Sequence, residues 1–259
     1  MILRRWLGPL GRYRPGLFRK NMAAGFRNCD RWTLPAWARI GAAQSPEERL
    51  LAQQRLGGKV VYDIGAFTGA YALFFSRQVG IAGRVVAFEP QPASFAILLR
   101  NLECNHITNV LPLRLALGGR SDVRPLFMLP GMPTTASLAP DARTPLRRAV
   151  GLAQVARLDD LIGGLALPPP DFIKLDVEGL ELEVLGAASS TLAAHRPLLL
   201  VEVHGPSRAA KLDRVRALSA LLEPLGYALR HAETGRALSA ESLTSHALPA
   251  SGHVFAHAA

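Results

Sequence analysis

The stretch "DFIKLDVEGLELEVL" (171–185) places four carboxylates within eight positions of the chain. Its apolar front half is typical of a buried β-strand, and Asp176 and Glu178 follow where that strand should end. Glu181 and Glu183 fall in the first turn of the following helix, where the helix dipole favours acids, so we interpret them as structural. Asp176 and Glu178 have no such structural explanation. We predict that both face a functional crevice.

A second pair of chemically active side chains ends the next apolar strand, "LLLVEVHG". Glu202 and His204 are two positions apart, so an extended chain directs both to the same side. Histidine titrates near neutral pH and also binds metals through a ring nitrogen. The pattern leaves two chemical roles open beside the alternative that His204 is a surface or capping residue with neither role. His204 could act as a general base, or it could join Asp176 in a site with oxygen and nitrogen ligands for a divalent metal.

A glycine-containing turn follows the first predicted strand, in "VVYDIGAFTGAYA". Asp63 ends the strand, and Gly65 and Gly69 follow with the spacing D-x-G-x-x-x-G. This differs from the G-x-G-x-x-G loop, which presents a helix N-terminus to a pyrophosphate. An acid at this position suits a ligand that carries an amine or another cation. A purely structural turn is the alternative interpretation.

Glu89 ends the second predicted strand, "VVAFEP", about 20 residues after the glycine turn. An acid at this place and spacing accepts hydrogen bonds from ribose hydroxyls in nucleotide-binding sheets. Asp63 and Glu89 together predict an adenosine site that lacks a pyrophosphate and has an acid near a charged amine. S-adenosylmethionine fits this description.

The elements that must position these residues alternate between short apolar strands and helices after residue 59. Such alternation predicts right-handed βαβ units and a doubly wound, mainly parallel α/β sheet with helices on both faces. Residues 119–157 interrupt the pattern and are rich in Pro, Thr and Ala. We expect a short edge excursion and a long substrate-side loop there. The predicted organisation is a basic extension over residues 1–44 and one domain over 45–259.

These stretches resemble the FkbM family of S-adenosylmethionine-dependent methyltransferases, within the class I Rossmann-like methyltransferases. The matching text covers roughly residues 59 to 205, and "DFIKLDVEGLELEVLGAA" is its most specific part. The resemblance implies a seven-stranded sheet whose last strand is antiparallel. It also implies methylation of hydroxyl oxygens, on macrolides or on the sugars of glycans and glycolipids.

The expected site has two halves. We assign to the cofactor half Asp63, Gly65, Phe67, Gly69, Glu89, Pro90 and Ala116. We assign to catalysis on the acceptor half Asp176, Glu178 and His204, with Asp176 or His204 as the base, and to acceptor binding Thr135, Ser137 and Glu202. A sugar or macrolide hydroxyl is a weak acid, so a base or a metal would assist its methylation.

Two other functions compete with hydroxyl methylation. The net charge of +10 permits a nucleic-acid methyltransferase. No N/D-P-P-Y-type strand end for a flipped base is present, however, so we do not expect nucleic acid as the partner. The third function is a binding module that retains the cofactor fold without catalysis. An enzyme is favoured over such a decayed module by four intact residues, Asp63, Gly65, Glu89 and Asp176.

The charge and the cysteines give weaker expectations about location. Arginines accumulate with Trp, Leu and Phe in the first 20 residues, which favours contact with an anionic membrane surface. The same segment lacks the apolar core and cleavage site of a signal peptide. Cys29 and Cys104 form no CxxC motif and predict reduced thiols. We therefore expect a cytoplasmic protein, peripheral to the inner face of the membrane. The pattern does not identify the acceptor or the oligomeric state.

Overall fold

The computed structural model describes residues 46–130, 132–138, 147–238 and 252–258. The basic extension of residues 1–44, and with it the expected membrane contact, lies outside the described residues. Within the ranges given, no helix has both the length and the apolar character needed to cross a bilayer.

Seven helices and twelve strands make up the described chain. The helices are α1 (Pro46–Ala52), α2 (Ala70–Val79), α3 (Pro92–Cys104), α4 (Leu158–Gly164), α5 (Glu181–Gly186), α6 (Ser189–His195) and α7 (Arg208–Leu222), which a 3-10 turn (Glu223–Leu225) follows. The strands are β1 (Val60–Ile64), β2 (Arg84–Phe88), β3 (Val110–Leu113), β4 (Ala116–Leu117), β5 (Asp122–Leu129), β6 (Met132–Ser137), β7 (Arg148–Ala156), β8 (Phe172–Leu175), β9 (Leu198–Glu202), β10 (Tyr227–His231), β11 (Ala237–Leu238) and β12 (His253–Ala258).

The main sheet has the strand order β11-β10-β12-β9-β8-β1-β2-β3. Strands β3, β2, β1, β8 and β9 are parallel, and the late strand β12 runs antiparallel between β9 and β10. This confirms the predicted doubly wound sheet with an antiparallel last strand, to which the two-residue β11 adds an eighth strand. The chain leaves β1 toward β3 and later returns on the other side at β8. The β1/β8 boundary is therefore the switch point, where such sheets bind ligands.

Apolar side chains alternate along the central strands and produce one core on each face of the sheet. Tyr62 and Ile64 of β1 pack in the core that also contains Leu185 of α5 and Leu218 of α7. Val61 of β1 packs in the opposite core, with residues of α2 and α3. Because both faces are covered, the polar groups at the carboxyl ends of β1, β2, β8 and β9 are held on a rigid support.

The predicted long loop over residues 119–157 is wrong for most of that segment. Strands β5, β6 and β7 occupy it and form, with β4, a second sheet with the order β4-β7-β5-β6; residues 131 and 139–146 lie outside the described part. The proline content of the segment favoured a loop, because proline cannot donate to a strand ladder. Pro125 pairs with Leu152 of β7, whereas β6 pairs with β5 only from Phe127 onward. The proline thus falls where β5 has one neighbour.

The expectation of reduced thiols is wrong for Cys104, the last residue of α3, which is disulfide-bonded. Spacing between two distant cysteines carries no information on pairing, because pairing depends on tertiary proximity. The expectation of a cytoplasmic location then rests on the N-terminal sequence alone.

Candidate active site

The turn after β1 touches the loop after β8, which brings the two predicted halves of the site together. Gly65 has φ 87°, and a Cβ at this position would lie 1.8 Å from the carbonyl oxygen of Asp176. The amide of Asp176 in turn donates to the carbonyl of Ile64 at 2.9 Å. Only glycine permits this approach, so Gly65 determines how near the Asp176 loop lies to the predicted cofactor turn.

Gly69 and Phe67 complete this turn through their backbone conformations. Gly69 has φ 86° and precedes α2, and a Cβ there would lie 2.4 Å from Leu98 Cδ1 on α3. Phe67 has φ 50°, a strained left-handed conformation for an aromatic residue. Its amide donates to Glu89 Oε2 at 2.8 Å. The turn is thus anchored to the carboxylate that ends β2.

Glu89 is a buried carboxylate with both oxygen atoms oriented by the backbone. Oε2 accepts from Phe67 N, and Oε1 accepts from Gln91 N at 2.7 Å. Burial raises the pKa of Glu89 to about 7, although the two backbone hydrogen bonds act to lower it. Each oxygen keeps a second lone pair, so this carboxylate can also accept hydroxyl hydrogen bonds, as a ribose would require.

The remaining predicted cofactor residues lie at three places. Asp63 is fully buried at the end of β1, and its backbone pairs across the ladder with that of Lys174 on β8. Pro90 follows Glu89 and is partly buried. Ala116, which we also assigned to the cofactor half, is buried in β4 of the second sheet. The chain leaves the main sheet at Leu113, before Ala116.

The acceptor half is a cluster of carboxylates around one imidazole at the ends of β8 and β9. His204 Nε2 lies 3.8 Å from Asp176 Oδ1, 3.7 Å from Glu178 Oε1 and 3.6 Å from Glu202 Oε1. Asp176 also pairs with the buried Lys174, whose Nζ lies 3.1 Å from Oδ2. The structure therefore brings Asp176, Glu178, Glu202 and His204 together. Asp176, Glu202 and His204 could also offer one ligand atom each to a metal, all within 4.8 Å of one another.

Glu181 is a member of this cluster, although its place in the sequence predicted a role in helix structure alone. Its side chain is only 1% exposed, and its Oε1 lies 2.9 Å from His204 Nδ1. The same oxygen accepts from Gly179 N at 2.9 Å. Glu181 thus orients the imidazole so that Nε2 faces the other carboxylates. Glu183 instead accepts from Gly119 N and pairs with Arg124, which agrees with the predicted structural role.

The charges of the cluster are strongly coupled. Burial opposes protonation of His204, but the Glu181 hydrogen bond and the charges of Asp176 and Glu178 raise the pKa of His204 to about 9. Burial raises the pKa of Glu178 to about 6. Burial also acts to raise the pKa of Glu202, but the hydrogen bond from His253 and the charge of His204 lower it to about 2. At neutral pH His204 is a cation held between carboxylates.

A chain of ion pairs extends from Glu202 to further titratable side chains, which no sequence motif had connected to the site. His253 Nε2 lies 3.5 Å from Glu202 Oε2, and His253 Nδ1 lies 2.6 Å from Glu233 Oε1. Glu233 Oε2 lies 3.1 Å from the buried His231 Nε2. These side chains come from β12, β10 and the turn after β10. No local sequence signal marks them, because β12 reaches β9 only through the tertiary fold.

The second sheet contacts the loop after β8 and so supports the acceptor half of the site. Ser137 of β6 is buried, and its Oγ donates to the carbonyl of Glu178 at 2.9 Å. Glu178 has φ 53°, and Arg214 of α7 holds the neighbouring turn by donating to Gly179 O at 2.7 Å. Thr135 lies in the same strand as Ser137, but its side chain is outside the described set. Of the two predicted acceptor residues in this strand, Ser137 reaches the site loop through its hydroxyl.

Comparison with known proteins identifies the family. A family model described as the methyltransferase FkbM domain matches residues 63–229, which include both halves of the site. The chain belongs to the FkbM methyltransferase family. This confirms the resemblance noted in the sequence, and the family implies S-adenosylmethionine as the cofactor.

The individual proteins that the chain resembles are distant relatives. The chain is 29% identical over 152 residues to methyltransferase sdnD of Sordaria araneosa, covering 48% of this chain and 58% of that protein. It is 29% identical over 157 residues to the hexuronic acid methyltransferase AglP of Haloferax volcanii, covering 60% of each chain. The chain thus spans about three-fifths of the length of these relatives.

A solved FkbM structure supports the fold assignment. The methyltransferase FkbM from Methylobacillus flagellatus KT superposes with a TM-score of 0.51 at 19% identity, covering 80% of this chain and 45% of that one. Similarity at this level concerns the fold alone. Together with the parallel strand order of the main sheet, it confirms the expected α/β class I methyltransferase architecture.

Proposed function

We propose that this chain transfers the methyl group of S-adenosylmethionine to a hydroxyl oxygen of a sugar-containing or polyketide-like acceptor. The observation that carries the proposal is the contact between the Gly65 turn and the Asp176 loop. This contact joins a buried ribose-type carboxylate site to a cluster of carboxylates around an imidazole. Hexuronic acid is the substrate named for one relative, and 31-O-demethyl-FK506 is named for another, at 27% identity.

The residues on the cofactor side fit the cofactor by the chemistry of their donors and acceptors. Glu89 would accept from the ribose hydroxyls, since both of its oxygen atoms are already oriented by backbone amides. Asp63, an acid at the end of β1, would lie near the amine of the methionine part. The cofactor would supply a sulfonium methyl group whose carbon an aligned oxygen nucleophile can attack, with the neutral thioether as the leaving group.

The acceptor side must position the hydroxyl and remove its proton. In the transfer an O–C bond forms, the S–C bond breaks, and the hydroxyl proton passes to a base. His204 is already a cation at neutral pH, so we assign proton removal to Asp176 and assign to His204 the stabilisation of negative charge that develops on the oxygen. Glu178 and Glu202 face the same imidazole nitrogen and would hold the acceptor's other hydroxyls.

A divalent metal is the second candidate for assisting the proton transfer. The observation in its favour is the convergence of Asp176, Glu202 and His204, with Glu181 holding the far nitrogen of the imidazole. Transfer rates measured after chelation, and again after addition of Mg²⁺ or Mn²⁺, test this alternative. Loss of transfer on chelation with recovery on metal addition would support the metal, whereas an unchanged rate would exclude it.

Labelled methyl transfer tests the proposed function. The protein is incubated with methyl-labelled S-adenosylmethionine and an extract of its source cells, and the products are separated into glycan, lipid, small-molecule and nucleic-acid fractions. We expect label in an oxygen-linked methyl group of a glycan, lipid or small molecule. Label in nucleic acid would favour the alternative enzyme, and cofactor binding without any transfer would favour a binding module.

The remaining proposals concern partners and location. We propose one catalytic domain over residues 45–259, in which the second sheet contributes to acceptor binding. A cytoplasmic location, peripheral to the inner membrane face through the basic extension, also stays a prediction. Binding to vesicles that contain anionic lipid, compared between the full chain and a variant lacking residues 1–44, tests the membrane contact.

A further inference from the structure

Arg147 is a largely buried cation at the edge of the acceptor cluster, directly before β7 of the second sheet. Its side chain is 13% exposed, and Nη2 lies 3.7 Å from Glu178 Oε2. This distance is longer than a hydrogen bond to a charged group, which is about 2.7–2.9 Å. The guanidinium group therefore forms an ion pair with Glu178 that is too long to be a hydrogen bond.

Two other donors of Arg147 find no acceptor among the residues that the structure describes. Nε and Nη1 are both shielded from water, and neither has a hydrogen-bond partner in the described part of the chain. A buried donor without a partner is costly, and more so when it belongs to a charged group. An arginine with only a structural role would be expected to have its donors satisfied by carboxylates or carbonyls of the protein.

Arg124, in β5 of the second sheet, is an arginine of this protein with a structural role, and its Nε and Nη1 have protein partners. Its Nε donates to both carboxylate oxygens of Asp122 at 3.1 Å, and its Nη1 lies 2.6 Å from Glu183 Oε1. Arg124 is about as exposed as Arg147, at 20%. The difference between the two side chains is therefore in their partners and not in their burial.

The position of Arg147 beside the acceptor cluster indicates which molecule its hydrogen-bond donors would bind. Glu178, the carboxylate that Arg147 approaches, also lies 3.7 Å from His204 Nε2, in the half of the site where the acceptor hydroxyl must bind. We propose that Arg147 binds an anionic oxygen group of the acceptor, a carboxylate or a phosphate. A planar guanidinium matches both groups in geometry and charge. This inference rests on the proposed function, because it concerns the molecule that receives the methyl group.

A simpler role for Arg147 is to balance the charge of Glu178. That role needs no ligand and predicts that neutral and anionic acceptors bind alike. It leaves the two buried donors unexplained, whereas an anionic ligand would supply the missing acceptors. The two roles therefore differ in a measurable preference between matched sugars.

Binding to the protein saturated with S-adenosylhomocysteine separates these roles. The probes are D-glucuronate, glucose 1-phosphate and glucose, which share a sugar ring and differ in their anionic group. We expect at least one anionic probe to bind about tenfold or more tightly than glucose. Comparison of glucuronate with glucose 1-phosphate then tells a carboxylate from a phosphate.

Two variants assign the preference to Arg147. R147Q should reduce binding of the anionic probe to the level of glucose. R148Q is the matched control, since it makes the same charge change at the exposed neighbouring residue, and it should keep the preference. R147K keeps the positive charge and should retain part of the preference, which covers the case in which R147Q does not fold.

The inference is overturned if neither anion binds better than glucose, or if R147Q and R148Q behave alike. Failure of the proposed function would look different, because the wild-type protein would then bind S-adenosylmethionine and transfer no methyl group. A preference for anions in R148Q that R147K weakens and R147Q abolishes would support the inference.

Discussion

The two halves of the site are built in different ways. The cofactor half is held by backbone groups: the amides of Phe67 and Gln91 fix Glu89, and Gly65 and Gly69 adopt positive φ angles. The acceptor half is held by side chains from distant segments, with His204 placed among four carboxylates. Substitutions in the cofactor half should therefore weaken binding of the cofactor. Substitutions in the acceptor half should lower the rate of methyl transfer while the cofactor still binds.

Replacing Gly65 should have the largest effect, since this residue belongs to both halves. In Gly65→Ala the new Cβ would collide with the carbonyl of Asp176, and we expect a loss of about 3 kcal/mol or more in the free energy of unfolding. Gly58→Ala is the control, because Gly58 has φ 74° but open space around it, and should cost about 1 kcal/mol. Urea unfolding measures both, and equal losses would show that the contact is unimportant.

The Asp176 carboxylate should be the group whose loss most clearly separates transfer from binding. Asp176→Asn keeps the shape of the side chain but removes the proposed base, and we expect the transfer rate to fall by about 10²- to 10⁴-fold. The dissociation constant for S-adenosylmethionine should change little. Asp213→Asn, on the exposed surface of α7, is the matched control and should leave the rate unchanged. A normal rate in Asp176→Asn would remove this residue from catalysis.

Changes at Glu89 should have the opposite signature. In Glu89→Gln the ribose would lose a charged acceptor, so we expect affinity for S-adenosylmethionine to fall by about 10- to 100-fold at pH 8. The transfer rate at saturating cofactor should stay close to that of the wild type. Calorimetry and initial rates measure the two quantities, and a large loss of rate with unchanged affinity would contradict the division into halves.

The same residue predicts a pH dependence of cofactor binding. The pKa of Glu89 is raised to about 7 by burial, so the carboxylate is ionised above this pH and protonated below it. Since the ionised form accepts hydroxyl hydrogen bonds better, affinity should rise between pH 6 and 8, by at most about tenfold per pH unit. Glu89→Gln should not show this rise, which distinguishes it from a general effect of pH.

The smallest effect should come from the support that the second sheet gives to the acceptor half. Ser137→Ala removes the hydrogen bond to the carbonyl of Glu178, worth about 0.5–1.5 kcal/mol. We expect the KM for the acceptor to rise a few-fold, with no change in cofactor affinity. A change in cofactor affinity without a change in the KM for the acceptor would contradict this assignment, because β6 would then support the cofactor half.

The contrast between the halves also explains what the sequence could predict. The turn after β1, the strand-end acids and the doubly wound sheet have local signals, namely glycine spacing and apolar runs bounded by carboxylates. The second sheet was missed because a segment rich in Pro, Thr and Ala, as residues 119–157 are, is typical of a loop. The role of Glu181 was missed because an acid in the first turn of a helix already has a structural explanation. His253 and Glu233 reach Glu202 only through the pairing of β12 with β9 and β10.

The central claim is that one crevice joins an S-adenosylmethionine site to a group that deprotonates an acceptor hydroxyl. The most direct test compares the wild type with Asp176→Asn in the labelled-methyl assay, with cofactor binding measured on the same samples. We predict an oxygen-linked methyl product from the wild type, and full cofactor binding with little product from the variant. Equal product from both proteins, or label only in nucleic acid, would contradict the claim.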